Sequence, residues 1–358
     1  MTTATPLTTP RPPRPGELMP ALTMAGPRDL RLRMVPAPAA RPGHCVVRIA
    51  YVGLCGADAS FHDGSSMYLR EGLKHYPFIF GHEWSGTVVE VADDVRGFAR
   101  GDRVAGHNFV TCDACSECRA GRRVLCRAHS EMGVLGDYPG VAARFACVPA
   151  KVLTPLPDTI GGPEAALLEP SSTALHAVRR TGVQDTDSVL VFGTGTLGLV
   201  TMQLARARGA SVHVAGVKRY GLDLAGSLGA DGVLTPQDVE HDRYDVVIEA
   251  SGAVEAAAQA PSALAYGGRL GLVGVPHHPV PHFPAASLVV KNATVHGVLS
   301  GIDDWDRLIG VIGKGGVALA PLIDHVYPYR RVDEAFERLA QPDRARPKVL
   351  LDFGSEEE

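Results

Sequence analysis

The stretch "VLVFGTGTLGLVTMQLA", residues 189–205, limits the fold more than any other part of the chain. It carries Gly-x-Gly-x-x-Gly at Gly193, Gly195 and Gly198, directly after an apolar β-type run and at the start of a helical pattern. In that context the glycines have separate tasks. Gly193 permits a tight turn, Gly195 lets a backbone approach a pyrophosphate, and Gly198 lets helix and strand pack closely. The amides that open the helix, at Thr196 and Leu197, face an anion with unpaired N–H groups and the positive end of the helix dipole. A tight turn without a ligand is the alternative.

The flanking sequence supports a parallel sheet. From about residue 163, helical and strand-like segments alternate: "SVLVFG", "TLGLVTMQLARARGA", "SVHVAG", "YGLDLAGSLGA", "DGVLT", "YDVVIEASG", "AVEAAAQAPSALAYGG", "RLGLVGV" and "ATVHGVLSG". Such a series predicts a doubly wound α/β unit. Residues 28–160 read differently, as short β runs broken by Gly, Pro and Asp, with "HCVVRIAYVGL" and a "VEVADDVRGFARGDRV" hairpin among the clearest. After about 302, one helix, "IDDWDRLIGVIGKGG", precedes mixed segments and a final strand, "PKVLLDFG". The 358 residues suffice for two domains. The expected division is a flexible tail over 1–19, a β-rich unit over 20–170 and 302–358, and the dinucleotide-binding unit over 171–301.

The second strand of the α/β unit bears on cofactor choice. An Asp or Glu at its end would grip the 2′-hydroxyl of NAD(H). "SVHVAGVKR" offers Gly216 there, followed by Lys218 and Arg219. Glycine removes the carboxylate that would repel a 2′-phosphate, and the two cations can bind one. NADP(H) is therefore expected in preference to NAD(H).

Seven cysteines are present, four of them in "CDACSECRAGRRVLC". Thiolates at Cys112, Cys115, Cys118 and Cys126 can converge on one Zn²⁺ at about 2.3 Å each. A site closed by four protein ligands is structural, and it would pin a lobe, about 107–130, that lacks a core of its own. An iron–sulfur cluster is the rival, although the related ferredoxin spacing carries a proline after its last cysteine.

Three further residues, Cys55, His82 and Glu169, are far apart, in "GLCGAD", "GHEWSGTV" and "LLEPSSTALHAV". Each has an ordinary structural reading by itself. Together with the four-cysteine lobe, "GTGTLG", "EASG" and "GLVGVP" in this order, they make the chain resemble the zinc-containing medium-chain dehydrogenase/reductase family, from about residue 20 to 354. The resemblance implies a GroES-like β domain beside a Rossmann domain, with the active site between them. It implies that Cys55, His82 and Glu169 hold a catalytic zinc, with Glu83 as an alternate ligand and Asp58 orienting the histidine. It also implies that Thr173, Ser251 and Val275 meet the nicotinamide end and that Lys348 reaches the pyrophosphate.

One position departs from the family pattern. The family carries Ser or Thr two residues after the cysteine, and often His three residues further on, to lead the alcohol proton to solvent. Here those positions are Ala57 and Ser60. Ser60, His62, Glu169 or Glu83, acting through water, are the available replacements. Two enzyme readings follow: a dehydrogenase of a secondary alcohol or cyclic polyol with a rebuilt relay, or a reductase of a conjugated C=C or C=N bond, with or without ring closure. A cofactor-binding protein without turnover is a third class. "FHDGSSMYLREGLKHYPFIF" places Tyr68, Arg70, Glu71, Lys74, His75 and Tyr76 where they would wall a polar substrate pocket or form a solvated loop. His277, His278 and His282 read as loop residues.

The remaining expectations come from composition. The formal net charge of −4 and the lack of a basic run exclude a nucleic-acid surface, and no apolar run of about 18 residues suggests a membrane span. Without an apolar leader segment, a cytoplasmic setting is expected. The partner is a small molecule, and the resemblance implies a homodimer or homotetramer.

Overall fold

A computed structural model describes residues 11–14, 16–276 and 278–355. Its α/β part is a six-stranded, wholly parallel sheet. The order is Gly232–Leu234, Ser211–Ala215, Ser188–Phe192, Tyr244–Glu249, Leu264–Leu272 and Thr294–Gly297. In chain order this is 3-2-1-4-5-6, a doubly wound sheet whose strand order reverses between Ser188–Phe192 and Tyr244–Glu249. The central strand is β-branched and apolar, "SVLVF", and Val189 to Phe192 are buried between helices on both faces. Ligands bind outside the carboxyl ends of strands at such a reversal point. Here those ends are the Gly193 turn and the segment Ala250–Gly252.

The β-rich part is built on the long strand His44–Leu54. It pairs antiparallel with Glu83–Val91, with Phe145–Pro149 and with Lys348–Asp352. The expected hairpin is present, with Ser85 opposite Ala105. A core of Trp84, Phe61, Phe80, Val47 and Ile49 lies against this sheet. Two register matches matter for the site. Gly53 stands opposite Glu83, and Val349 stands opposite Leu54. The strand that ends the described chain thereby brings Lys348 beside the segment that begins at Cys55.

Several boundaries differ from expectation. Residues 1–10 and Pro15 of the predicted tail lie outside the described residues, and Leu18 and Met19 already belong to the strand Leu18–Gly26. The division at 170 falls inside the helix Leu168–Arg180. The helix Trp305–Gly313 buries Trp305 and Leu308 in the same core as Val189 and Val191 of the parallel sheet, so it packs with that layer. The helix expected through "AYGG" ends at Ala263, where Leu264 turns extended to pair with Tyr244 and the Ser262 and Ala263 carbonyls accept from the N–H groups of Asp242 and Arg243. Two helices come from stretches that showed no clear periodicity, Gly56–Asp63 and Val332–Ala340.

Candidate active site

Cys55 caps the helix Gly56–Asp63. The Asp58 carboxylate accepts the Cys55 backbone N–H at 2.9 Å, and the Cys55 side chain faces the N–H of Asp58 in a reciprocal capping box. Asp58 is fully buried, and its second oxygen lies 3.6 Å from His82 Nδ1. One carboxylate thus fixes the cysteine and faces the histidine. This explains why "CGAD" forms a helix start although no helical periodicity announces it.

Ligand-capable atoms of Cys55, His82 and Glu83 lie within 4.8 Å of one another. Glu169 stands outside that group but on the same cleft, lining it beside Cys55 and Thr173. Glu169 and Thr173 are four residues apart on the helix Leu168–Arg180, hence on one face. The Glu169 carboxylate is open to the cleft but deep in the molecule. Desolvation pushes its pKa up to about 7, opposed by His82 and reinforced by Glu83. Burial alone would lower the pKa of His82, but Asp58, Cys55 and Glu169 hold it well above its ordinary value. Burial also raises Asp58. A thiol, an imidazole and crowded buried carboxylates form a donor set with surplus negative charge, the environment that a divalent cation such as Zn²⁺ fits.

Glu83 has a second tie. Its Oε2 accepts from Lys348 Nζ at 2.5 Å, and the ammonium also donates to the Leu54 carbonyl at 3.1 Å. Both side chains are almost wholly buried. A Cβ at Gly53 would lie 2.4 Å from Glu83 Oε2, so glycine at that position leaves room for the carboxylate. Glu83 Oε1 is buried and has no partner. Lys348, expected at the pyrophosphate, is directed inward to Glu83. The residue free to meet phosphates from this segment is Arg344, which lines the cofactor side of the cleft with Gly195, Thr196 and Leu197. Its Nε and Nη1 are buried without partners. Nothing in the sequence marked Arg344, because a loop arginine carries no periodic or motif signal.

The glycine-rich turn shows the geometry that its spacing predicts. Gly193 has φ 115°, in the left-handed region. A Cβ at Gly198 would lie 2.1 Å from the Gly193 carbonyl oxygen, whereas one at Gly195 would meet no protein atom within 4 Å. Glu249, at the end of its strand, accepts from the Ser251 N–H at 2.7 Å and from the Gly252 N–H at 3.1 Å, and so shapes the opposite lip. Gly216 packs on Thr194, and a Cβ there would lie 2.7 Å from Thr194 Cγ2. Lys218 precedes the helix Arg219–Ser227, with its ammonium over the Tyr220 ring. Arg219 is exposed and pairs with Asp223 at 2.9 Å.

Two adjoining spaces make up the cleft, of about 490 and 410 Å³. Cys55, Glu169, Thr173, Leu197 and Ser251 line both. The first contains the glycine-rich turn, Arg344 and Lys348. The second contains Ala57, Ser60, His82 and Val275. Ser60 Oγ donates to the Ala57 carbonyl at 2.9 Å. His62 is not brought to this cleft. It packs on Phe336 and lines a separate depression with Arg28 and Asp333, beyond Ala59 and Leu339.

Of the predicted polar wall, only Tyr68 lines the second space. Lys74 donates to the Gly136 carbonyl at 2.8 Å, Tyr76 to that of Phe61, and Arg70 to that of Ser65 at 2.9 Å. Glu71 and His75 are exposed. His278 and His282 are exposed, and His277 lies outside the described residues. Two further polar residues that line the space belong to no recognised motif: Asn108, just before the strand Phe109–Val110, and Glu131, in the strand paired with it.

The lobe itself gathers four thiols. Ligand atoms of Cys112, Cys115, Cys118 and Cys126 lie within 4.8 Å of one another, and none is in a disulfide. The Cys112 and Cys118 N–H groups point to the sulfurs of Cys126 and Cys115 at 3.4 and 3.5 Å. Only a four-residue helix and one 3₁₀ turn form among these cysteines, so a tetrahedral Zn²⁺ fits as the missing core.

Comparison with known proteins agrees with this geometry. Residues 41–158 match the alcohol dehydrogenase GroES-like domain, and residues 196–314 match the zinc-binding dehydrogenase family. An L-threonine 3-dehydrogenase of Deinococcus radiodurans is 32% identical over 341 residues, covering 90% of this chain and 94% of that protein. An L-idonate 5-dehydrogenase of Vitis vinifera is 32% identical over 351 residues, covering 92% and 94%. A crystal structure of a zinc-binding dehydrogenase from Sinorhizobium meliloti, bound to NADP, superposes with a TM-score of 0.85 at 26% identity, covering 94% of this chain and 99% of that one. With two domain matches in the expected order, near-full-length relatives and a cleft that unites a thiol–imidazole–carboxylate group with a dinucleotide turn, the chain belongs to the zinc-containing medium-chain dehydrogenase/reductase family and is an oxidoreductase of the alcohol dehydrogenase type.

Proposed function

We propose that the protein transfers hydride between NADP(H) and a secondary alcohol or its ketone, of cyclic-polyol type, in the cleft lined by Cys55, Glu169, Thr173 and Ser251. The observation that carries this reading is the shared lining: one set of residues borders both the dinucleotide turn and the space above Cys55 and His82. In the oxidising direction the alcohol carbon gives its hydrogen and bonding pair to nicotinamide C4, and the hydroxyl proton leaves to solvent. The products are ketone, NADPH and H⁺.

Cys55, His82 and Glu169 would hold the zinc, with Glu83 as the alternate carboxylate. When bound, the metal supplies Lewis acidity toward the substrate oxygen, and the cofactor supplies the hydride chemistry. The chain's own residues do the rest. Asp58 keeps Cys55 and His82 in place, and Lys348 balances Glu83. The amides of Thr196 and Leu197, with Arg344, would meet the pyrophosphate, and Thr173, Ser251 and Val275 would border the nicotinamide end. Ala57 has no proton to pass on. Ser60 uses its hydrogen on the Ala57 carbonyl, which leaves its oxygen able to accept one. Proton departure therefore passes through water in the cleft and does not reach His62.

Gly216, Lys218 and Arg219 support NADP(H), because Gly216 puts no carboxylate at the end of Ser211–Ala215 and both cations stand at the following helix start, where a 2′-phosphate would compete with Asp223 for Arg219. Steady-state kcat/KM with NADPH and with NADH, on one ketone, tests the preference. NADPH should be favoured at least about tenfold, and a preference for NADH overturns it.

We also infer a homodimer or homotetramer in a reducing, cytoplasmic setting. Thr294–Gly297 is an edge strand, and Val289 and Val290 beside it are 80% and 69% exposed, an apolar edge that a second copy would cover. No helix among the described residues is long and apolar enough to cross a membrane.

A further inference from the structure

The two sides of the cleft differ in their cations. The cofactor side carries Arg344, while Lys348 there is paired with Glu83. No lysine or arginine is among the described residues that line the substrate side, which holds Glu131 besides the metal-ligand candidate Glu169. Glu131 is 5% exposed, in the short strand Ser130–Glu131, opposite Phe109. Its contacts are long: Asn108 Nδ2 donates to Oε2 at 3.3 Å, and His129 Nε2 lies 3.4 Å from Oε1. His129 Nδ1 is 2.5 Å from the Cys126 carbonyl, so this nitrogen carries the hydrogen, and Nε2 donates to Glu131 from the protonated ring, which Glu131 favours by raising the His129 pKa. A carboxylate has about four acceptor sites, so capacity remains.

Two more acceptors are unmatched. Asn108 is 3% exposed, and its Oδ1 is buried with no partner. The Ser300 hydroxyl oxygen, on the Rossmann-side wall, is likewise buried without one. Burying acceptors without donors is costly, so a ligand that brings donors is favoured here.

We propose that the substrate is an amine-bearing secondary alcohol, whose ammonium is held by Glu131 and the Asn108 side-chain carbonyl. An ammonium brings three N–H donors and a positive charge, and its hydrogen bonds to a carboxylate are the strong, charge-assisted kind. A carboxylate or phosphate in its place would meet the Glu131 carboxylate with no lysine or arginine lining this space. The inference rests on the alcohol dehydrogenase reading and makes its substrate class specific.

The test is calorimetric titration of the zinc-loaded enzyme with NADP⁺ bound, near neutral pH, using three matched ligands: trans-2-aminocyclohexanol, trans-1,2-cyclohexanediol and trans-2-hydroxycyclohexanecarboxylate. The amino alcohol should bind at least about tenfold more tightly than the diol, with the hydroxy acid weakest. Glu131→Gln should bring amine and diol to within about threefold. Equal or tighter binding of the diol or the acid, an unchanged ranking in Glu131→Gln, or no binding of the amino alcohol would overturn the proposal. The wild-type ranking decides the matter even if the variant does not fold. Failure of the underlying alcohol dehydrogenase reading has a different signature: the amino alcohol binds in the expected rank and no NADPH forms.

Discussion

Lys348 illustrates how a residue's role depends on what buries it. By position it is a cation near a cofactor. By geometry it is the counter-charge of Glu83, with both side chains removed from solvent. Removing one partner of a buried ion pair leaves an uncompensated charge, at a cost of about 3–5 kcal/mol. Lys348→Met should therefore lower the unfolding free energy by about that amount in urea. The double variant Glu83→Gln/Lys348→Met should recover most of the loss. A double variant no more stable than the single one would show that the ion pair is not the source.

The strand–turn–helix element Ser188–Ala207 offers a comparison between two of its glycines. A Cβ at Gly198 meets the Gly193 carbonyl, so Gly198→Ala should destabilise the protein by about 1–3 kcal/mol through forced separation of helix and turn. Gly195 faces open space with φ −77°, so alanine fits the backbone there. Gly195→Ala should leave the melting temperature within about 1 °C and raise the KM for NADPH at least about tenfold, because the methyl group occupies the approach to the pyrophosphate. Parallel thermal melts and cofactor titrations check both. An unchanged KM in Gly195→Ala would mean that the phosphates do not lie against this turn.

This element was legible in the sequence because its signals are local: a β-branched run, glycines at fixed offsets and a helical pattern. The four-cysteine lobe was legible for the same reason. The helix Gly56–Asp63 was not, since its start depends on a cysteine N-cap and a buried aspartate. Arg344, Asn108 and Glu131 were also hidden. They reach the cleft through loops and two-residue strands, whose placement follows from tertiary contacts rather than from spacing. The inward turn of Lys348 required the register of Lys348–Asp352 on His44–Leu54, a pairing of segments about 300 residues apart.

At the scale of the whole molecule, the cleft joins stability to metal content. In the metal-free chain Glu169 titrates at about 7 against an ordinary 4.5. The folded state then holds more protons than the unfolded state between those values, so stability falls as pH rises through that window. His82 acts in the same direction above its ordinary 6.5, since its folded pKa is raised and its contribution is lost as the ring deprotonates. Burial holds His62, His107, His176, His213 and His296 below the ordinary histidine value, which acts in the opposite direction, so the signature lies in the difference between the two forms. Zinc replaces protons on Glu169 and His82, so the melting temperature lost on chelation should grow as pH rises from about 4.5 to 7. Differential scanning calorimetry with and without chelator checks this. Identical pH profiles with and without chelator would contradict it.

In the proposed mechanism, Cys55 helps to hold a zinc ion that hydride transfer requires, separate from the ion in the cysteine lobe. The most direct measurement is metal content together with turnover in Cys55→Ser. The wild-type chain should carry two zinc ions and the variant about one, because the lobe keeps its own. NADPH binding should persist, while turnover should fall by at least about 10³-fold. A variant that retains full activity with one zinc per chain, or one that keeps both ions, would contradict the assignment of Cys55 to the catalytic metal.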